Sequence, residues 1–502
     1  MYKGLGILLL LLVLVCRQQC VGQVFPKEGS ALYYRIVGFS CPAQSWAVRY
    51  GIEIAGGSYN DEGAFTKNIS QAINSKSSKI IGEVPYFGAQ YTWRIVFVMK
   101  DSSRKHSILY HFSTRTSPDV DTAVTRLRVM KPAERYKDAY VFLDCTRVLY
   151  DMKGKPIWFL PGSDITNQDA YPRDLKLSNR GTITFTTGYK PYEINYDGTI
   201  LWQYKSDGTG EMNDSFHHEF TRLQNGNYMG MIYEHRPALL PRYKDSIAHN
   251  AADSARYYRT VQFSTIVECD RDNLEVWHWR TYDYEQASDL RLRNPDDDSL
   301  WNHDLHENSF YFDEHNQVVY LSFRNISRVI KIKYPEGNVL NTYGMPYKPG
   351  IKQWDNEWFC MQHSCRVNDK DELYVFDNNT CGTPPVPKVV VMQQPEVGNN
   401  NLKKIWEYPC TIEDAQVRKD QTHFHSGGNV IELPGGSMFV SMSIPYCKVF
   451  IVSHDKKELW SAVAEKYDPA AKKWKQPIEL YRANIVPGRK ELEELIWNSE
   501  KE

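Results

Sequence analysis

The 502-residue chain has no excess charge of either sign: 60 Lys and Arg stand against 61 Asp and Glu. Nothing in that balance points to nucleic acid, an anionic membrane or a polyanionic substrate. A membrane span is also missing. The longest apolar run, Leu5 to Val15, holds eleven residues, whereas a bilayer needs roughly 20. Preceded by Lys3, it reads as a secretory signal cleaved near Gly22, so the expected product is soluble and secreted or lumenal, with no membrane partner. There is no HExxH helix, and the pairs His303-x-x-His306 and His423-x-His425 have no carboxylate at ligand spacing. No metal and no cofactor is therefore expected.

Cysteine is sparse. Loss of the signal removes Cys16 and Cys20 and leaves eight, at 41, 145, 269, 360, 365, 381, 410 and 447. An even number in an oxidising compartment favours disulfides, but the sequence does not choose among the connectivities. Cys360 and Cys365 flank His363, and either can pair with the other or with Cys381. Sequons stand at Asn68, Asn213, Asn325 and Asn378, of which Asn325 is expected to be buried.

Aromatic residues are plentiful: 33 Tyr, 20 Phe and 13 Trp. Together with many Val and Ile they favour pleated surfaces over helices, so an all-β protein is expected. Residues 23–131 read as short alternating strands, such as Tyr91 to Val98 and Ser107 to Thr116 around a turn at Asp101. That pattern suggests an immunoglobulin-like or fibronectin-like β-sandwich, with Ser117 to Arg135 as connector. Farther on, a turn followed by an apolar strand with a late Trp recurs at Trp158, Trp202, Trp277, Trp406 and Trp460, and Asn341 holds the Trp place in one further copy. Six occurrences spaced 44 to 75 residues apart match the blades of a six-bladed β-propeller over residues 132–475. The longest gap holds an insertion from Glu234 to Arg256, expected as a loop or helix. In the tail, 476–502, apolar residues at 492, 495 and 496 predict a short docking helix.

Three histidines begin similar strand-hairpin-strand units: His218 in Phe216-His-His-Glu-Phe, His306 in His-Asp-Leu-His-Glu-Asn-Ser, and His363 in Met-Gln-His-Ser-Cys. Their common register predicts one mouth lined by imidazole. Arg324 follows the strand after His306 and can return a guanidinium to the same place. Its planar fork suits a tetrahedral oxyanion such as sulfate or phosphate, and imidazole serves as nucleophile or acid and base near neutral pH. His217, His303 and His425 are further candidates for binding substrate, and His423 lies beside the last of these.

The motifs His-His-Glu-Phe-x-x-Leu-x-Asn-Gly at 217, His-x-Asn-Ser at 306, Ser-x-Arg-Asn-x-Ser at 322, Gln-His at 362 and Ser-Gly-Gly-Asn-Val-x-x-Leu-Pro-Gly-Gly at 426 resemble those of the aryl-sulfate sulfotransferase family, across most of the chain. The resemblance implies a secreted six-bladed propeller behind a β-sandwich. It implies that His363 takes the sulfuryl group from a phenolic sulfate and passes it to a phenol, with no nucleotide donor. His306 and Arg324 would stabilise the sulfuryl oxygens, and His218 or His217 would assist proton transfer or bind the group. One departure stands out: the family follows its nucleophilic histidine with an acidic residue, and Ser364 stands there. The contrasting expectation is an inactive secreted propeller used as a binding or matrix scaffold. The two differ in whether His218, His306, His363 and Arg324 meet in one anion-sized pocket.

Overall fold

The computed structural model describes residues 24–162, 172–205, 215–239, 258–284, 305–344, 358–382, 385–410, 427–443, 446–476 and 480–498. The signal segment, His303, His423 and His425 lie outside them. The protein is all-β, and it divides into two compact units, 1–116 and 117–502. In the first unit, Ile36–Ser40 pairs with Lys79–Glu83, while a larger sheet has Gln90–Val98 near its centre. Phe39 of the small sheet meets Trp93 and Phe112 of the large one edge-on, with ring centroids 4.8 and 6.0 Å apart. Asn68, the exposed sequon residue, caps the short helix Glu62–Lys67.

Six antiparallel sheets built on four strands each make up the described part of the second unit. Their first strands are Ala483–Val486, Arg173–Leu177, Phe216–Arg222, Glu307–Asp313, His363–Val367 and Asn429–Glu432, and these lie against one another in succession. The fourth strands carry the recurring Trp. Each indole donates to the turn between the third and fourth strands of the following sheet: Trp158 to Tyr196 O (2.7 Å), Trp202 to Arg271 O (3.1 Å), Trp277 to Pro335 O (2.8 Å), Trp406 to His454 O (2.8 Å) and Trp460 to Met152 O (2.9 Å). Asn341, in the Trp place, does the same with its amide, to Glu396 O (3.2 Å) and Asn399 O (2.9 Å). The sixth sheet thus reaches the first, and the bonds run cyclically. A buried indole N–H must find an acceptor, so this one residue type supplies both apolar packing and a directional clasp.

Several segments differ from the sequence reading. Thr125–Lys131, expected in the sandwich and its connector, pairs with Glu458–Asp468 of the sixth sheet, where Leu127 is buried. Ala483–Val486, expected in the tail, completes the first sheet beside Tyr140–Leu143, with Val141 opposite Ile485. All four of its residues are buried, and apolar area removed from water is what favours docking such a short strand. The start of the expected insertion, from Glu234, instead continues a strand, Tyr228–Leu239, that pairs along its length with Tyr258–Cys269; residues 240–257 lie outside the described set. The final helix, Arg489–Asn498, buries Leu492, Leu495 and Ile496 as its periodicity predicts.

Candidate active site

Four of the first strands are irregular where they start. Register shifts fall between Arg173 and Lys176, His217 and Phe220, Glu307 and Ser309, and His363 and Arg366. Asp174, His218, His306 and Ser364, at or next to these shifts, have φ between 54 and 58°. A left-handed conformation is uncommon outside glycine and costs of order 1–3 kcal/mol. Such bulges re-aim side chains and recur beside functional sites. Here the effect is visible at 217 and 218: the two consecutive imidazoles face each other, Nδ1 to Nδ1 at 2.5 Å.

The sequence candidates that are described come together. His218 lies in ring contact with His306 (5.2 Å) and with Tyr481 (5.7 Å), and Tyr481 in turn contacts His363 (6.3 Å). Arg324 donates its backbone N–H to His306 O (2.9 Å) and its Nη1 to Asn325 Oδ1 (2.9 Å). His217 turns away from that centre, stacking on Tyr233 at 3.8 Å and bonding Ser264 Oγ through Nε2 at 3.1 Å. Between the two neighbours, His218 therefore faces the other imidazoles.

His363 is fully buried. Its Nδ1 lies 2.6 Å from Asn378 Oδ1, and its Nε2 accepts from the Gly427 N–H at 3.0 Å. An amide oxygen only accepts, so Nδ1 carries the proton and Nε2 the lone pair. Asn378 Nδ2 also donates to Gly427 O (3.2 Å), tying imidazole, amide and glycine into one clasp. Gly427 and Gly428 have φ of 77 and 92°, and a Cβ on Gly428 would fall 2.3 Å from the Phe376 ring, so other residues are excluded there. Ser364, in the place of an acidic residue, exchanges hydrogen bonds with the backbone of Val430 at 3.4 Å. The imidazole's tautomer is thus set by Asn378 and not by the residue that follows.

Burial holds His217, His218 and His363 well below the usual histidine range. For His363 the Arg324 guanidinium is the next cause, and for His218 the neighbouring His217 and His306. These imidazoles are neutral at physiological pH. Asp144, also buried, is pushed up to about 8, mainly by desolvation.

Beneath the imidazoles the charges are paired. Arg482 Nη1 bridges Asp174 Oδ1 (3.3 Å) and Glu219 Oε2 (3.2 Å), and its Nη2 donates to Asn308 O (2.9 Å). Arg366 meets Glu219 Oε1 at 3.3 Å, and Lys176 pairs with Asp174. Five sheets are joined by these contacts. On the side of the hairpin turns lies a cavity of about 810 Å³, lined in part by Lys176, Arg222, Tyr311 and Arg366.

Sequence reasoning missed Arg173, Asn378, Tyr481 and Arg482. Arg173 precedes the Leu177-Ser-Asn-Arg-Gly hairpin as His218 precedes its own, so counting back from the turn would have found it. Asn378 carries the signal of a sequon, yet its side chain is buried against His363. Cys360 pairs with Cys381, one of the two alternatives open for it, while Cys365 is a buried free thiol pushed up to about 12 by desolvation.

The sequence model of the arylsulfotransferase (ASST) family matches residues 129–397, more than half of the chain. No curated protein matches. Among solved structures, Hsv2 of Kluyveromyces lactis is similar at 11% identity over 82% of this chain and 94% of that one, with a TM-score of 0.30. The dihydro-heme d1 dehydrogenase NirN gives 9% identity over 73% and 78%, at 0.33. AztD of Citrobacter koseri gives 8% over 88% and 98%, at 0.31. These structural likenesses are too distant to carry an argument about the site.

Proposed function

Because the chain belongs to the arylsulfotransferase family, we propose that it moves a sulfuryl group from a phenolic sulfate ester to a phenolic acceptor through an intermediate on His363, with no nucleotide sulfate donor. In this reading the protein is secreted, and its second unit is a six-bladed β-propeller preceded by a β-sandwich. Its partners are small phenols and their sulfate esters. The observation that carries the reading is the convergence of His218, His306, His363 and Arg324 at one end of the inner strands.

The chemistry follows from the tautomer. A neutral imidazole with its lone pair on Nε2 is a nucleophile at neutral pH. It attacks sulfur, and the bond to the phenol oxygen breaks. Arg324 and His306 hold the sulfuryl oxygens, with two N–H groups of the guanidinium matching two oxygens of the group, and His218, in ring contact with His306, binds the group with them. A phenol then takes the sulfuryl group from Nε2 and frees the imidazole.

The test is the intact mass of the purified protein after brief mixing with 4-nitrophenyl sulfate, alongside His363→Ala, while nitrophenol is followed. The expected result is a burst with about 80 Da added to wild type alone, the mass of one sulfuryl group held covalently. Folded wild type that gains no mass and releases no nitrophenol would overturn it. One observation favours a second reading, an inactive binding scaffold: the Nε2 lone pair already accepts from Gly427 N–H, a bond that attack has to exchange. The same mass experiment separates the two.

A further inference from the structure

Burial keeps His217, His218 and His363 from taking a second proton, so none of them is an imidazolium acid for a departing phenolate. A sulfuryl transfer that expels a basic phenolate needs such a proton. Tyr481 is the group placed to supply it. Its ring stands 5.7 Å from His218 and 6.3 Å from His363. Its hydroxyl is shielded from solvent and has no hydrogen-bond partner among the described residues, although a buried hydroxyl is normally bonded. Its backbone carbonyl accepts from Gly428 N–H at 2.8 Å, and a Cβ on Gly427 would lie 3.0 Å from its ring. The glycine pair that engages His363 therefore also fixes Tyr481. Two guanidinium groups face the ring, Arg173 at 4.9 Å and Arg482 at 5.3 Å from its centroid.

We infer that Tyr481 is the proton donor to the leaving phenol and the proton acceptor from the incoming one. The inference rests on the sulfuryl-transfer reading of the same site. As the N–S bond to His363 forms and the S–O bond breaks, the electron pair goes to the phenol oxygen, which takes the Tyr481 proton and departs as a neutral phenol. The tyrosinate left behind is faced by Arg173 and Arg482. In the second half, the acceptor's hydroxyl proton returns to Tyr481 while its oxygen bonds sulfur and the N–S bond breaks. One proton passes from acceptor to leaving group, and atoms and charge balance over the cycle. Burial raises the phenol above the ordinary tyrosine range, while Arg482 and Arg173 pull it back. That direction suits a group that is protonated at rest and gives up its proton only when a basic oxygen is at hand.

The experiment compares wild type with Tyr481→Phe on two donors, phenyl sulfate and 4-nitrophenyl sulfate, with phenol as acceptor. Phenolate is a strong base and needs the proton as it leaves; 4-nitrophenolate does not. The expected result is a loss of about 10²–10³ in kcat/KM on phenyl sulfate and a loss of less than about tenfold on 4-nitrophenyl sulfate. Retention of the mass adduct with 4-nitrophenyl sulfate shows that the variant is folded and that His363 still reacts. Equal losses on the two donors, or no loss on phenyl sulfate, overturn the role of Tyr481 and leave the transferase reading intact. A wild type that forms no adduct and turns over neither donor overturns the transferase reading, and this inference with it.

Discussion

The imidazole end of the inner strands and the layer just beneath it lie in contact yet use charge in opposite ways. Around His363 the contacts are imidazole to amide, imidazole to imidazole and guanidinium to aromatic ring. One layer down they are cation to carboxylate: Arg482 with Asp174 and Glu219, Arg366 with Glu219, and Lys176 with Asp174. Buried charges that are paired resist rearrangement, because removing one partner strands the other in a medium that solvates it poorly. Neutral imidazoles have no such commitment, and their lone pairs can be redirected to a substrate. The lower layer therefore holds the strands, and in the proposed reading the upper one carries the chemistry.

Substitutions should separate the two layers. The largest effect is expected from His363→Ala, which should lower kcat by about 10⁴–10⁶ under saturating 4-nitrophenyl sulfate, as loss of a covalent nucleophile does elsewhere; activity within tenfold of wild type would remove His363 from the mechanism. Arg482→Ala should act on stability as well as on the proton transfer at Tyr481, whose ring its guanidinium faces. It leaves Asp174 and Glu219 without their shared cation, at a cost of about 3–5 kcal/mol in denaturant unfolding. Should the loss be under about 1 kcal/mol, this layer would not be the structural one. Arg324→Lys keeps the charge but not the fork, and is expected to reduce kcat/KM by about 10² with little change in melting temperature.

The smallest effect is in the pH profile of stability. Histidines held below their usual value bind fewer protons folded than unfolded, so their contribution is intact above about 6.5 and is lost as pH falls. His217, His218 and His363 act in this direction. Asp144, pushed up to about 8, and Asp377, pushed up to about 6, act in reverse: each binds a proton in the folded state that it has released when unfolded, so stability rises as pH falls from the folded value toward 3.8. Between pH 8 and 6.5 Asp144 acts in the same direction as His111, which Tyr59 O and Glu28 hold above its usual value against burial, and below 6.5 the three lowered histidines oppose the two raised carboxyls. Unfolding free energy should peak near pH 6.5 and fall by roughly 1–3 kcal/mol per pH unit on either side. A monotonic rise from pH 5 to 8 would mean that Asp144 is ionised in the folded protein.

Much of the ring was legible because its signals are local. The alternation of strands, the Asn-Gly and Gly-Gly turns and the Trp of each fourth strand repeat within a few residues of one another. Even Asn341 was readable as a Trp substitute, and it donates to the neighbouring turn as the indoles do. The register of His218, His306 and His363 was legible for the same reason, since each precedes its own hairpin by a similar interval. Asn378 was not. It is fifteen residues from His363 in the chain and looks like a glycosylation site, and only the pairing of His363 with Phe376 brings its amide to Nδ1.

What the sequence determined by itself, then, is the all-β character, the number of repeats and the histidines that share a register, because strand alternation, turn chemistry and side-chain type act over short stretches of chain. The tertiary structure alone decided how the ring is completed. Ala483–Val486 pairs with Tyr140–Leu143, more than 300 residues away, and this carries Tyr481 against the imidazoles and Arg482 into the charges beneath them. A four-residue strand has little local preference to announce it. Its place is selected by the unpaired backbone groups and apolar surface that the rest of the ring leaves uncovered, a demand that exists only once the other strands are assembled.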